Sequence, residues 1–195
     1  MGSEQVKNVH SVVRKLNLPT KITLLRIVLV PPLLAFLIAP SRVNALVAAL
    51  IFAAAALTDW LDGHLARSTR QVTTLGKLLD PIADKILLAA GLIPLVGLGR
   101  VPAWMAAIML IREFAVAGLR EIAAAEKVII PASRMAKAKT LLQILAILFL
   151  ILNFKTWPLT FHHIGLGLLT LSLVLSLLSG ADYYLKCRRV LQYRW

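Results

Sequence analysis

The sequence predicts an all-α, polytopic membrane protein with six transmembrane helices and a short interfacial amphipathic helix before them. Three observations carry that prediction. Hydrophobic residues make up 59% of the 195 positions and charged residues 16%, where a soluble domain holds roughly 45–50% and about 25%. Apolar runs approach ~20 residues, the length that crosses a hydrocarbon core. The basic excess, 22 Lys+Arg over 9 Asp+Glu for a net +13, lies mostly on one side of the apolar runs. A nucleic-acid binder could be this basic but would not carry such runs, so no nucleic-acid partner is expected. Disorder is excluded by the apolar content. Cys187 stands alone, so no internal disulfide frames the fold.

Taken in order, residues 1–21 are polar and basic, with Val6, Val9, Val13 and Leu16 at helical spacing beside Lys7, Arg14 and Lys15. That pattern suits a helix lying on an anionic membrane surface, or a frayed chain end. Six apolar stretches follow, at 22–39, 44–62, 78–98, 102–122, 138–154 and 162–185. Pro40, Pro102 and Pro158 fall at their junctions, where a missing backbone N–H is tolerated. Residues 68–75 are polar enough to turn the chain in water. The connections are too short for a second domain, so residues 1–195 form one membrane domain.

Orientation follows from the basic residues. Lys21, Arg67, Arg70, Lys77, Arg120, Lys127, Arg134, Lys137, Lys139 and the Lys186–Arg189 group fall on one side, and only Arg42, Arg100 and Lys155 on the other. The expected arrangement is a multi-pass protein of a cell inner or plasma membrane, with both termini cytoplasmic.

The acidic residues carry the chemistry. Asp59, Asp62, Asp80 and Asp84 lie in or beside the second and third stretches, where an ionised carboxylate costs several kcal/mol or more unless paired or metal-bound. Asp59, Asp62, Gly63, Ala66 and Arg67 are spaced i, i+3, i+4, i+7, i+8, and Gly76, Asp80 and Asp84 are i, i+4, i+8. At about 100° per residue each set shares one helical face. The two helices would run antiparallel with four carboxylates converging, and Gly63, Ala66 and Gly76 would leave room for a bulky ligand. Carboxylates without a His or Cys cluster suit hard divalent ions such as Mg²⁺ or Mn²⁺, and a pair of ions would suit phosphoryl displacement. An ion-pair network with Arg67, Lys77 and Lys85, or a cation-transport site, uses the same residues.

The run Asp59-x2-Asp62-Gly63-x2-Ala66-Arg67-x8-Gly76-x3-Asp80-x3-Asp84 resembles, at all eight fixed positions, the signature of the CDP-alcohol phosphotransferase family. Three looser stretches resemble the branch that makes phosphatidylglycerophosphate: Asn17 to Arg26, Arg112-Glu113 with Arg120-Glu121, and Pro131 to Thr140. The resemblance implies transfer of a phosphatidyl group from CDP-diacylglycerol to sn-glycerol 3-phosphate with release of CMP. By similarity Asp59, Asp62, Asp80 and Asp84 hold two divalent ions, and Asp84 is also the base. Asn17, Thr20, Gly63, Ala66, Arg67, Thr73 and Gly76 bind the CDP-diacylglycerol, and a homodimer among membrane lipids is expected.

The acceptor's phosphate calls for fixed cations, for which Arg112, Arg120, Lys137 and Lys139 are the candidates. Arg112 stands inside an apolar stretch at high cost. Ordinary positive-inside placement, or pairing with Glu113 and Glu121, explains the same residues without a ligand. Inositol phosphate, serine or phosphatidylglycerol are rival acceptors, and a cation transporter or a non-catalytic scaffold are rival classes. His64, His162 and His163 suit local satisfaction better than ligation, and Asp182 is expected to pair with a neighbouring Lys or Arg.

Overall fold

The computed structural model describes residues 18–39, 41–69, 74–126, 134–154 and 160–192, without the side chains of 18–20, 59–78, 80, 134 and 190–192. The described residues form six α-helices: α1 Leu18–Ile38, α2 Arg42–Thr69, α3 Thr74–Gly97, α4 Ala103–Ala125, α5 Arg134–Leu152 and α6 Phe161–Gln192. All six apolar stretches are therefore helical. Residues 1–17, including the proposed interfacial helix and Asn17, lie outside the described residues, as does Thr73.

Among the described residues, three helices are long and apolar enough to cross a membrane: Lys21–Ile38 of α1, Met135–Leu152 of α5 and Phe161–Arg189 of α6. The helix α2 has a shorter apolar part, Arg42–Thr58. The acidic motif interrupts α2 and α3, and Arg112 and Glu113 interrupt α4. The helices that fall short are those that carry the acidic motif and the Arg112–Glu113 pair.

The connections are tight at one end of the bundle. Between α1 and α2, the Ser41 hydroxyl accepts the Asn44 N–H at 3.0 Å, an N-cap that satisfies one orphan donor. After α3, Gly99 takes a positive φ of 67°. There the Arg100 N–H reaches the Leu95 carbonyl and the Gly99 N–H the Val96 carbonyl, both at 2.9 Å. This is a Schellman stop, for which glycine is the low-cost residue. Arg100 then donates to the Leu150 and Ile151 carbonyls at 3.0 and 2.8 Å. It thereby ties the α3–α4 turn to the C-terminus of α5, whose last carbonyls lack intrahelical partners.

The core runs through the middle of the bundle: Leu33 and Leu37 of α1, Phe52 and Ala55 of α2, Leu92 and Leu95 of α3, Met109 of α4, Ile147 and Leu150 of α5, and Leu169 of α6. Helix α1 packs on α2 and α3, while α5 and α6 form the most extensive pair. Small residues make those approaches. A Cβ on Gly165 of α6 would stand 2.7 Å from Leu150 Cγ and 3.1 Å from the Ala146 carbonyl of α5. Leu50, Ile93, Ile111, Phe114, Leu141 and Leu178 are exposed instead, as a lipid-facing surface requires.

Candidate functional site

The acidic motif rides on adjoining antiparallel segments. Asp59 lies ten residues before the end of α2 at Thr69, and Asp84 ten residues after the start of α3 at Thr74. Asp62 and Asp80 are seven and six residues from the same two ends. At about 1.5 Å per residue the four positions fall in two matched layers. The expected turn is shorter than the polar stretch that suggested it, because Ser68, Thr69, Thr74 and Leu75 remain helical. The side chains of Asp59, Asp62, Gly63, Ala66, Arg67, Gly76, Asp80 and Thr20 lie outside the described residues.

Asp84 is described. Its side chain is exposed and makes no hydrogen bond or ion pair among the described residues. Neighbouring Lys85 turns back to donate to the Pro81 carbonyl at 2.7 Å instead of pairing with Asp84. The described part of the motif thus lacks the expected alternative of a Lys85 ion pair. By residue type, four aspartates suit hard divalent cations; among the described residues no group of three or more His, Cys, Asp or Glu gathers.

Beside Asp84 opens a cleft of about 50 Å³ between α2, α3, α4 and α5. Asp84, Lys85, Glu113, Lys139, Thr140 and Gln143 supply its polar lining, and Phe52, Ala56, Leu87, Leu88, Ile144 and Ile147 the apolar part. The structure brings Lys139 into this cleft, buried and ion-paired with Glu113. The same Glu113 oxygen accepts from Arg112 Nη1 at 3.1 Å. One carboxylate therefore gathers two cations, from α4 and α5, at the edge of the cleft that holds Asp84. Arg112 pairs with Glu113, one of the two acids expected as its partner.

Arg112 is fixed from a third side. Its Nη2 donates to Ser179 Oγ on α6 at 2.7 Å, and Ser179 in turn donates to the Ser176 carbonyl at 3.1 Å. Gly180 lets the guanidinium lie against the α6 backbone, for a Cβ there would stand 3.1 Å from Arg112 Nε. A planar cation held this way keeps one orientation, with Nη1 on Glu113 and Nη2 on Ser179. Arg26 and Thr23 of α1 are also fully buried. An internal arginine is costly anywhere in a membrane.

The other acceptor candidates lie further off. The Arg120 guanidinium is 5.7 Å from the Tyr183 ring centre, a cation–π contact between α4 and α6. Lys137 is exposed and does not line the cleft. Asp182 pairs with Lys186 at 2.6 Å, and His163 finds the Thr160 hydroxyl, both as expected. Sequence reading missed Ser179, Gly180 and Gln143. Gln143 had a usable signal, being the one polar residue between Leu141 and Leu152. Ser179 and Gly180 act across more than sixty residues of chain, which no local pattern reveals.

Residues 16–178 match the family model for CDP-alcohol phosphatidyltransferases. A Bacillus subtilis protein named CDP-diacylglycerol–glycerol-3-phosphate 3-phosphatidyltransferase is 38% identical over 182 residues, which cover 87% of this chain and 94% of that protein. A Rickettsia felis protein of the same name is 40% identical over 175 residues, covering 89% and 96%. One from Salmonella choleraesuis is 37% identical over 172 residues, covering 86% and 92%.

Proposed function

The chain belongs to the CDP-alcohol phosphatidyltransferase family, and from that premise we propose that it transfers a phosphatidyl group from CDP-diacylglycerol to sn-glycerol 3-phosphate. The products are phosphatidylglycerophosphate and CMP. The observation that carries this reading is the pairing of two features at one cleft. Asp84 of the eight-position motif stands open on α3, and across the same cleft Glu113 gathers Arg112 and Lys139. The names of the relatives support the same donor and acceptor.

The chemistry divides between the two halves of the cleft. The donor carries acyl chains that belong among lipids and a cytidine diphosphate that belongs in water, so a site where helix ends leave the apolar core serves both. Asp59, Asp62, Asp80 and Asp84 would hold two Mg²⁺ or Mn²⁺ ions, which supply charge neutralisation to the diphosphate. Arg112 and Lys139 bind the phosphate of the acceptor and so orient its primary hydroxyl toward Asp84. Asp84 takes the hydroxyl proton as the oxygen bonds to the phosphorus bearing diacylglycerol. The bond from that phosphorus to CMP breaks, and CMP leaves with the electron pair. Gly63, Ala66, Arg67, Thr73 and Gly76, with Asn17 and Thr20, form the nucleotide side of the site. All six helices span the membrane, with the site on its cytoplasmic face, and the working unit is a homodimer.

The test is CMP release by purified protein supplied with Mg²⁺ or Mn²⁺ and CDP-diacylglycerol. Glycerol 3-phosphate, inositol phosphate and serine are offered in separate reactions. Release with glycerol 3-phosphate alone, reduced ~10³-fold or more by Asp84→Asn, is the expected result for loss of a base. Release with another acceptor would replace the substrate, and cation flux without CMP release would replace the reaction.

A further inference from the structure

Inside the cleft one donor is left over. Gln143 of α5 is 5% exposed, and its Nε2 has no hydrogen-bond partner among the described residues. Its polar neighbours are engaged: the Thr140 hydroxyl donates to the Ala136 carbonyl at 3.1 Å, and Glu113 holds Arg112 and Lys139. A buried amide left unpaired loses its hydration without a bond in return. At the same place in an apolar helix a leucine would cost nothing of that kind. A polar group inside a membrane helix is retained for what it binds.

The position restricts what that is. Gln143 follows Lys139 by four residues, so both lie on one face of α5, about 6 Å apart along the axis. Both line the cleft with Asp84. In the reading given above, Lys139 meets the acceptor phosphate and Asp84 its primary hydroxyl. Between these two groups an sn-glycerol 3-phosphate carries one more polar group, the secondary hydroxyl on its middle carbon. A carboxamide suits a neutral hydroxyl, since it donates through Nε2 and accepts through Oε1. An amino group at that carbon, as in serine, would bring a charge into a cleft whose carboxylates have other work in that reading, Asp84 with the metal ions and Glu113 with Arg112 and Lys139.

We propose that the Gln143 carboxamide binds the secondary hydroxyl of the acceptor, making it a specificity-determining residue for glycerol phosphate. The proposal rests on the assignment of glycerol 3-phosphate as acceptor. It is tested by comparing that substrate with 3-hydroxypropyl phosphate, which has the same phosphate and primary hydroxyl but no secondary one. Wild-type protein, Gln143→Met and Gln143→Leu are assayed with both, at saturating CDP-diacylglycerol and Mg²⁺.

The expected result is a wild-type preference for glycerol 3-phosphate of about 10-fold in kcat/KM, the scale of one hydrogen bond to a buried group. Both substitutions abolish the preference by lowering the value for glycerol 3-phosphate alone, with KM for CDP-diacylglycerol unchanged. Equal losses on the two acceptors, no loss on either, or a shared loss of CDP-diacylglycerol affinity in both variants would each overturn the proposal. Failure of the acceptor assignment is seen separately, as wild-type protein that releases no CMP with glycerol 3-phosphate.

Discussion

The two ends of the bundle are built differently. At the end bearing Ser41, Arg100 and Asn153, every described helix stops within one or two residues of its apolar stretch. The stops are made by a serine cap, a Schellman glycine, and Asn153 at a positive φ of 42°. At the basic end each helix runs three to seven residues beyond its apolar stretch, to Leu18, Thr69, Thr74, Ala125, Arg134 and Gln192. One end is closed with short, self-satisfied turns. The other extends still helical segments past the core, and the acidic motif and Lys139 lie toward it. Hydrophobicity ends where the lipid does, but a helix ends only where its hydrogen bonding is interrupted. The layer between the two limits holds Gly63, Ala66, Arg67 and Gly76 of the motif, and its four aspartates, Arg112 and Lys139 stand within the apolar stretches.

If that contrast is real, substitutions at the basic end should change substrate handling and those at the closed end should change stability. The largest effect after loss of Asp84 is expected from Arg112→Ala. Steady-state kinetics should show KM for glycerol 3-phosphate raised about 10- to 100-fold, as for a charge-assisted bond to a phosphate, with KM for CDP-diacylglycerol little changed. Equal rises for both substrates would remove Arg112 from the acceptor side.

Gly165→Ala comes next and should act in the opposite manner. The added Cβ falls 2.7 Å from Leu150 Cγ, so thermal unfolding in detergent should show a loss of about 1–3 kcal/mol from overpacking. Both KM values should stay put, and a selective rise in either would blur the distinction between the ends. The smallest effect is expected from Gly180→Ala, whose Cβ meets Arg112 Nε at 3.1 Å. A rise of about 3- to 10-fold in KM for glycerol 3-phosphate would follow from one misdirected hydrogen bond. Gly167→Ala on the same helix meets nothing within 4 Å and serves as the silent comparison. Matching behaviour of the two variants would mean that Gly180 matters only to the helix.

Much of this was legible in the sequence, unequally between the ends. Six apolar runs gave six helices, and Pro102 marked a true junction, because proline and apolar content act locally, while Pro40 and Pro158 lie outside the described residues. The extensions at the basic end were not legible, because charged residues are good helix formers once a helix has begun. The residues Ser68, Thr69 and Thr74 read as a turn and are helix instead. In the site, the Asp motif declared itself by spacing and Arg112 by its cost. The partners that orient Arg112 did not, since a serine and a glycine in an apolar helix are more often mere packing. Lys139 was singled out as one of a basic group with Arg134 and Lys137. Only the fold distinguishes it, by burying it against Glu113.

The pair of bonds from Arg100 to the carbonyls of Leu150 and Ile151 has a mechanical consequence. It pins the α3–α4 hairpin to α5 about one helical turn beyond Ile147, at the apolar end of the cleft and away from Lys139. Any opening between these elements is then leverage about a pivot. Lys139 lies eleven residues from Leu150 along α5, an arm of about 16 Å at the helical rise. A tilt of about 5° would part α4 from α5 beside Lys139 by about 1.5 Å, enough to loosen the grip of Glu113 on two cations. The pinned carbonyls themselves would scarcely move. A bundle that is stapled at one end can widen at the other by bending like tongs, without breaking its core.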